Sequence, residues 1–96
     1  MMLTSKQKVF LRSLAQTERP VLQIGKEVIT ENVVTAVNNA FHNRELIKIS
    51  ILKTAGDDIK EIAFDLARLT RSELVQIIGR QVVLYKRAKQ PGIILP

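Results

Sequence analysis

The side chains that could take part in chemistry are few in this 96-residue sequence, and most of them are cations. Fifteen lysines and arginines stand against nine acidic residues, which gives a formal net charge of +6. The sequence holds one histidine, His42, and no cysteine. Because a hydrolase or a transferase needs a positioned nucleophile, an acid-base pair or a metal, the sequence predicts a protein without catalytic activity.

Three further residues could be suspected of chemistry, but each has a simpler structural explanation. His42 falls near the end of a predicted helix, where a cation complements the carbonyl terminus. Asp57 and Asp58 could bind a cation, yet they precede a predicted helix, where carboxylates suit the positive end. We therefore expect capping roles for all three and no metal site.

No cofactor or small-molecule substrate is indicated either. The four glycines are too dispersed for a Walker loop or a GxGxxG fingerprint, and the lack of cysteine excludes thiolate-ligated metals. No apolar run approaches the roughly 20 residues that a membrane helix needs, and the start lacks the apolar segment of a signal peptide. We expect no membrane association and a cytoplasmic location.

One loop combines glycine with a cation in a way that suits phosphate binding. In the segment IIGRQVV, Gly79 would let the backbone approach a phosphate closely, and Arg80 could bind that phosphate bidentately, with Gln81 beside it. The arrangement is similar to the clamp of KH domains. An ordinary turn between two strands is the alternative interpretation.

Other cations could extend this site into a surface. These candidates are Lys86 and Arg87 after the last strand, Lys6, Lys8 and Arg12 in the first helix, and Gly25 and Lys26 in a second, weaker loop. A basic surface favours a polyanionic partner. Charge alone does not choose between RNA, DNA, anionic lipid and an acidic protein, although no motif that reads the major groove of DNA is present.

Three amphipathic helices that would position these residues are predicted from apolar residues recurring every three or four positions. The first spans Ser5–Gln16 after the cap Thr4, the second follows the cap Thr30, and the third follows Asp57 and Asp58. The expected apolar faces are Val9, Phe10, Leu11 and Leu14 in the first helix, Val33, Val34, Val37, Ala40 and Phe41 in the second, and Ile59, Ile62, Ala63, Leu66 and Leu69 in the third. Phe64 is also expected in the core.

Four strands complete the prediction. They are Val21–Ile24, Leu46–Leu52, Leu74–Ile78 and Val82–Tyr85, the last two forming a hairpin around the glycine-arginine loop. Alternation in the second strand predicts a half-buried element with Lys48 on an outward face. The order α-β-α-β-α-β-β allows parallel pairing across helical crossovers. We expect a single α/β domain over residues 1–96 with three helices and a mixed four-stranded sheet.

Four separated blocks of this sequence together resemble the CRM domain (chloroplast RNA splicing and ribosome maturation) in its stand-alone bacterial, YhbY-type form. The blocks are LTSKQKVFLRSLA, VLQIGKEVITENVVTAV, HNRELIKISIL and VQIIGRQVVLYKR. They occur in the family's order and span residues 3–87, which leaves 88–96 as a tail. The resemblance implies a fold similar to the C-terminal domain of translation initiation factor three, binding to structured RNA, and association with large-subunit ribosome precursors.

The resemblance also implies a site. By position it places the family's loop glycine at Gly79, followed by Arg80 and Gln81 at the tip, then Tyr85, Lys86 and Arg87. Family members often carry GxxG here, whereas Val82 occupies the second glycine position, so Arg80 is expected to carry more of the binding. Tyr85 could stack on a base, although packing is the commoner role of a strand tyrosine.

The function that follows is RNA binding to ribosomal RNA of large-subunit precursors, in support of ribosome assembly. The rival hypothesis is a protein-interaction adaptor whose basic face binds an acidic partner. Neither the RNA site nor the oligomeric state follows from the sequence.

Overall fold

The predicted order of helices and strands is found in the computed structural model, which describes residues 2–96. The elements are α1 (Ser5–Ala15), β1 (Pro20–Ile24), α2 (Glu31–Asn43), β2 (Leu46–Ile51), a short 3₁₀ helix (Lys53–Ala55), α3 (Ile59–Thr70), β3 (Glu73–Ile78) and β4 (Gln81–Tyr85). The strands form one sheet in the order β1-β2-β4-β3. Strand β1 is parallel to β2, and β4 is antiparallel to both β2 and β3. The expected α/β fold with a mixed four-stranded sheet is confirmed.

Side-chain caps begin all three α-helices. The Thr4 hydroxyl accepts from the Gln7 backbone amide at 3.1 Å, and the Gln7 side chain accepts from the Thr4 amide at 3.0 Å, which completes a capping box. The Thr30 hydroxyl and the Asp58 carboxylate each accept from the third backbone amide of their helix. The predicted caps are therefore confirmed, with Asp58 rather than Asp57 as the cap of α3.

The sheet is covered on both faces. On one face, alternate strand residues such as Ile47, Ile49 and Leu84 pack against α2 and α3 in what we call the main core. On the other face, Leu46, Val83 and Tyr85 belong to a second cluster with residues of α1. Successive strand residues point to opposite faces, so the central strands supply side chains to both clusters, while Ser50 and Gln81 at one end of the second face are half-buried.

This second layer overturns the prediction that Lys48 faces outward. Lys48 is only 8% exposed. It lies on the face that carries the second cluster, opposite Val83 of β4. Periodicity alone predicted a strand with one wet face, because it cannot tell that a helix from elsewhere in the chain covers that face.

Two helices also bury different residues from those expected. Helix α1 buries Leu11 and Ala15, while Val9 is 56% exposed, so its buried stripe is rotated from the predicted one. In α3, Phe64 and Leu69 are exposed. The large ring of Phe64 therefore lies outside the core.

The C-terminal tail is docked on the domain by one carboxylate. Glu45 accepts hydrogen bonds from the backbone amides of Gly92 at 2.5 Å and Ile93 at 2.9 Å, and a longer one from Ala88 at 3.4 Å. Ile93 and Leu95 pack against the second cluster. The apolar ending of the chain is thus part of the layer that covers the second face of the sheet.

Candidate nucleic-acid interface

Three connections meet at one end of the sheet, which we call the loop end: residues 25–30, residues 52–58 and the β3–β4 turn at 79–80. The Leu52 amide donates to the Ile24 carbonyl at 2.8 Å, and the Ile51 amide donates to the Arg80 carbonyl at 2.7 Å. Both candidate loops of the sequence are therefore brought to the same end of the molecule.

The Arg80 side chain is engaged within the protein. Its Nε donates to the Ile51 carbonyl at 2.8 Å, and its Nη2 donates to the carbonyls of Leu52 and Gly56, both at 2.6 Å. Its Nη1 donates to the Asp57 carboxylate at 3.0 Å. Arg80 therefore ties the β3–β4 turn to the connection between β2 and α3.

These contacts leave little of Arg80 for a phosphate. Four of the five guanidinium N–H groups are already used, so the predicted bidentate clamp would require breaking internal hydrogen bonds. The turn also lies beside the acidic start of α3. The carboxylates there are crowded: a side-chain hydrogen bond with Asp58, and then the negative charges of Asp58 and Asp65, raise the pKa of Glu61. The geometry favours a structural role for Arg80.

The expected relation to a GxxG loop changes as well. Val82 lies within β4, fully buried in the main core, and only Gly79 and Arg80 form the turn. Gly79 has a φ of +56°, the sign that a type II′ turn requires at its first central residue. A second glycine is therefore not needed in this turn.

The loop at residues 25–28 has the more unusual backbone. The Val28 amide donates to the Gly25 carbonyl at 2.9 Å, which closes a four-residue turn. Val28 has a φ of +53°, a left-handed conformation that is a genuine outlier for a β-branched residue. Lys26, at the tip, is exposed. This loop presents a free cation at the loop end, which Arg80 does not.

The last two cations of the predicted site are at the other end of β4. Lys86 donates from Nζ to the Thr70 carbonyl at 2.9 Å and lies 5.8 Å from the ring centroid of Phe41. Arg87 is exposed and lies beside the docked tail. The five residues of β4 separate them from the turn by about 17 Å, so the structure does not bring Arg80 and Arg87 into one clamp.

Tyr85 is a packing residue. It is 1% exposed and belongs to the second cluster, so no base can stack on its ring. Burial, and then the negative charge of Glu45, raise the pKa of the Tyr85 phenol.

The cations of α1 divide between two sides of the helix. At 100° per residue, Lys8 and Arg12 lie on one side, and Lys6 points away from both. Gln7 contacts the docked tail through a hydrogen bond to the Pro96 carbonyl at 3.3 Å. On the other flank, Lys8 lines a groove with Glu73 and Gln76 of β3. Lys8 and Arg12 thus border the sheet, and all three cations are exposed.

Next to Lys8 and Arg12, part of the sheet's second face is uncovered. Beside the apolar Ile78, which pairs with Gln81 and is 51% exposed, the side chains that alternate with the main-core residues here are polar: Gln23, Ser50, Gln76 and Gln81, which we call the open face. Gln23 is exposed and the other three are half-buried. Sequence reasoning missed three of these four, although their alternation with apolar residues in the strands was a usable signal.

Charge is separated between the two faces of the sheet. The open face and α1 lie on one side, whereas α3 with Asp57, Asp58 and Glu61 at its start packs on the other. Among residues 2–96, no group of three or more potential metal ligands is found. No helix in that part of the chain is long and apolar enough to span a membrane.

Comparison with known proteins identifies the family. The model of the CRS1/YhbY (CRM) domain matches residues 3–86. The chain belongs to the CRM domain family. The match runs from α1 to just past the end of β4 and covers the four blocks on which the resemblance was based, except for Arg87 at the end of the fourth.

Two curated relatives of this CRM domain are bacterial proteins that match it over nearly their whole length. It is 44% identical over 89 residues to the Bacillus subtilis protein named "Probable RNA-binding protein YqeI", and the match covers 93% of each chain. It is 35% identical to a Haemophilus influenzae protein named "RNA-binding protein", covering 98% of this chain and 95% of the relative. The relatives are named for RNA binding and for no enzymatic activity.

A solved structure supports the fold. The solution structure of the Staphylococcus aureus protein SAV1595, a candidate RNA-binding protein, is 49% identical to this CRM domain. The two superpose with a TM-score of 0.85 over 99% of this chain and 100% of the other. The α/β architecture is thus shared with a CRM-like relative along its whole length.

Proposed function

We propose that this protein binds ribosomal RNA in precursors of the large ribosomal subunit and assists their assembly in the cytoplasm. The observation that carries RNA binding is the exposed side of α1 with Lys8 and Arg12, beside a sheet face where Gln23, Ser50, Gln76 and Gln81 are neutral. One carboxylate, that of the half-buried Glu73 at the start of β3, lines the same groove as Lys8. The names of the relatives support RNA as the partner. The ribosomal precursor as the particular RNA is what the resemblance to the family implies.

In this proposal, phosphate contacts supply most of the affinity. Lys8 and Arg12 contribute from α1, and Lys26 contributes from the loop end, where it lies exposed in the turn that begins with Gly25. Each cation that neutralises a phosphate releases counterions, so the affinity falls steeply with salt. No catalytic step and no cofactor enter the proposal.

The test is to sediment cell extract on a sucrose gradient, locate the protein, and sequence the RNA crosslinked to it. We expect migration with immature large subunits and enrichment of large-subunit ribosomal RNA. Migration only at the top of the gradient, without an enriched RNA, would contradict the proposal.

A nuclease-treated extract provides the control for the adaptor hypothesis. If RNA holds the complexes together, the protein should leave the heavy fractions after nuclease treatment. A complex that survives complete RNA removal would instead indicate a protein partner bound to the basic face.

A further inference from the structure

We infer that the open face binds the shallow minor groove of double-helical RNA and distinguishes RNA from DNA by contacts to 2′-hydroxyls. The inference rests on the proposed RNA-binding function and goes beyond it by naming the surface and the form of RNA. It starts from the register of the strands, which aligns three polar side chains in one row.

The row crosses three neighbouring strands. Ile78 of β3, an exposed apolar residue that pairs with Gln81, ends the row. Within the row, Gln23 of β1 pairs with Ser50 of β2, and Ser50 pairs with Gln81 of β4. All three point to the face opposite the main core, because Ile24, Ile51 and Val82 beside them belong to that core. With strands about 4.8 Å apart, the row is about 10 Å wide.

A second row extends this surface towards α1. Gln76 of β3 lies opposite Val83 of β4, which in turn lies opposite Lys48 of β2. Val83 and Lys48 are buried, so Gln76 is the surface side chain of this row. Gln76 shares a groove with Lys8, and Arg12 lies one helical turn further along α1. The result is a band of amide and hydroxyl groups with cations along one border.

This combination matches the minor groove of an RNA duplex. That groove is wide and shallow and displays 2′-hydroxyls, each of which both donates and accepts a hydrogen bond. Amide and hydroxyl side chains offer both donors and acceptors, so they suit such groups without fixing a base sequence. Lys8 and Arg12 are placed at the border, where the phosphates that line a groove would lie.

The same surface fits other polyanions less well. The minor groove of B-form DNA is about 6 Å wide, too narrow for a rigid row about 10 Å across. Unpaired bases bind by stacking on aromatic side chains, and among the described strand residues on this face the one aromatic ring is that of Tyr85, which is buried. An acidic protein would pair with cations, whereas the centre of this face carries neutral amides.

The experiment uses the full chain and two probes, a 16-base-pair RNA stem-loop and a DNA stem-loop of the same sequence. Binding is measured by fluorescence anisotropy at low and moderate salt for the wild type and for the variant Gln23→Ala, Ser50→Ala, Gln81→Ala. The matched control is Thr35→Ala, Asn39→Ala, Gln90→Ala, which removes a hydroxyl and two amides at exposed positions in α2 and the tail.

We expect the wild type to bind the RNA probe more tightly than the DNA probe. Loss of the three side chains should weaken RNA binding about tenfold or more, since each direct hydrogen bond is worth a factor of about five. DNA binding, the salt dependence and the control variant should change little. The single variant Gln23→Ala, at an exposed position that does not affect folding, should show a smaller loss in the same direction.

Three results would overturn the inference while leaving RNA binding intact. They are equal loss on RNA and DNA, no loss in the triple variant or in Gln23→Ala, and wild-type binding to ribosomal RNA without binding to the RNA stem-loop. If the wild type binds neither the stem-loop nor ribosomal RNA, the proposed function itself fails. The two failures are therefore distinguishable.

Discussion

At the scale of single residues, the guanidinium of Arg80 shows how a candidate ligand group can serve the fold instead. From the sequence, an arginine after a glycine in a turn suggests an exposed cation. In the structure, that guanidinium donates to three backbone carbonyls between the end of β2 and the start of α3, those of Ile51, Leu52 and Gly56. Removing a side chain that donates to several backbone acceptors lowers the free energy of unfolding, because those acceptors lose their hydrogen-bond donors.

We therefore predict that Arg80→Ala lowers the free energy of unfolding by about 2–3 kcal/mol, since charge-assisted hydrogen bonds to the backbone are removed. Chemical denaturation of the two proteins measures the difference. Its control is Asp57→Ala, because Asp57 is 97% exposed and its ion pair with Arg80 is of the surface kind, worth at most about 1 kcal/mol. Equal effects of the two substitutions would contradict the structural role of Arg80.

Val28 stores backbone strain at the turn that begins with Gly25. We predict that Val28→Gly is more stable than Val28→Ala by about 1 kcal/mol, because both lose the two γ-methyl groups and only glycine, which has no Cβ, relieves the left-handed φ. Thermal or denaturant unfolding measures the order of the two variants. At a position with ordinary backbone angles, an alanine variant is more stable than a glycine variant. If Val28→Ala proved more stable than Val28→Gly, the left-handed conformation of residue 28 would be refuted.

Tyr85 makes stability depend on pH in the alkaline range. Its pKa is raised in the folded protein by burial and by Glu45, so its contribution is complete below its unfolded value of about 10 and is lost as the pH rises through the folded pKa. We predict that the wild type loses stability relative to Tyr85→Phe as the pH rises above about 10.

Denaturant unfolding across this range measures the effect. Because Tyr85 is the only tyrosine in the sequence, the absorbance of the phenolate reports its ionisation directly. Within residues 2–96 its hydroxyl has no hydrogen-bond partner, so the phenylalanine variant should be no less stable at neutral pH. Parallel curves for the two proteins would argue against the shift.

At the scale of elements, the tail is held mainly by a side chain from the connection between α2 and β2. The Glu45 carboxylate accepts hydrogen bonds from the backbone amides of Gly92 and Ile93. A Cβ added to Gly92 would lie 3.3 Å from Oε1 of Glu45. The small residue at position 92 is therefore part of the fit between the tail and the domain.

We predict that Glu45→Ala releases the tail and lowers the free energy of unfolding by about 1–2 kcal/mol, because two amides lose a charged acceptor. Hydrogen exchange should show faster exchange at residues 92 and 93, with β2 and β4 unchanged. The control Glu18→Ala removes only a partly exposed ion pair to Arg44 at 3.6 Å and should leave the tail protected. Unchanged protection in Glu45→Ala would mean that apolar packing alone holds the tail.

At the scale of the whole molecule, charge is arranged by faces. The acidic start of α3 and the cations of α1 lie on opposite sides of the sheet, so a net charge of +6 becomes a directed field. An RNA duplex approaching the α1 side meets cations first, and the acidic side faces away.

This arrangement predicts how binding depends on salt. The variant Lys8→Ala, Arg12→Ala should weaken binding to RNA and DNA alike and reduce the slope of log K against log salt by about 2, one for each phosphate that is no longer neutralised. Lys6→Ala, on the other side of α1, should change the slope by less. Titrations of both variants at several salt concentrations check this, and a larger effect of Lys6 would place the RNA elsewhere.

The sequence by itself determined the order of elements, the helix caps and the family, because these depend on local patterns. Apolar periodicity located each helix and strand to within a few residues, and Thr4 and Thr30 indicated two helix starts. The composition, with one histidine and no cysteine, was by itself the basis for expecting a protein without catalytic activity.

Only the tertiary structure decided which side chains are free. Lys48 is buried because α1 covers its face, Arg80 is engaged because the end of β2 lies beside it, and Gln23, Ser50 and Gln81 form one row because three strands pair in that register. Each of these outcomes depends on contacts between residues distant in sequence. Local periodicity carries no information on such contacts, since it describes only the spacing of apolar and polar residues within one helix or strand.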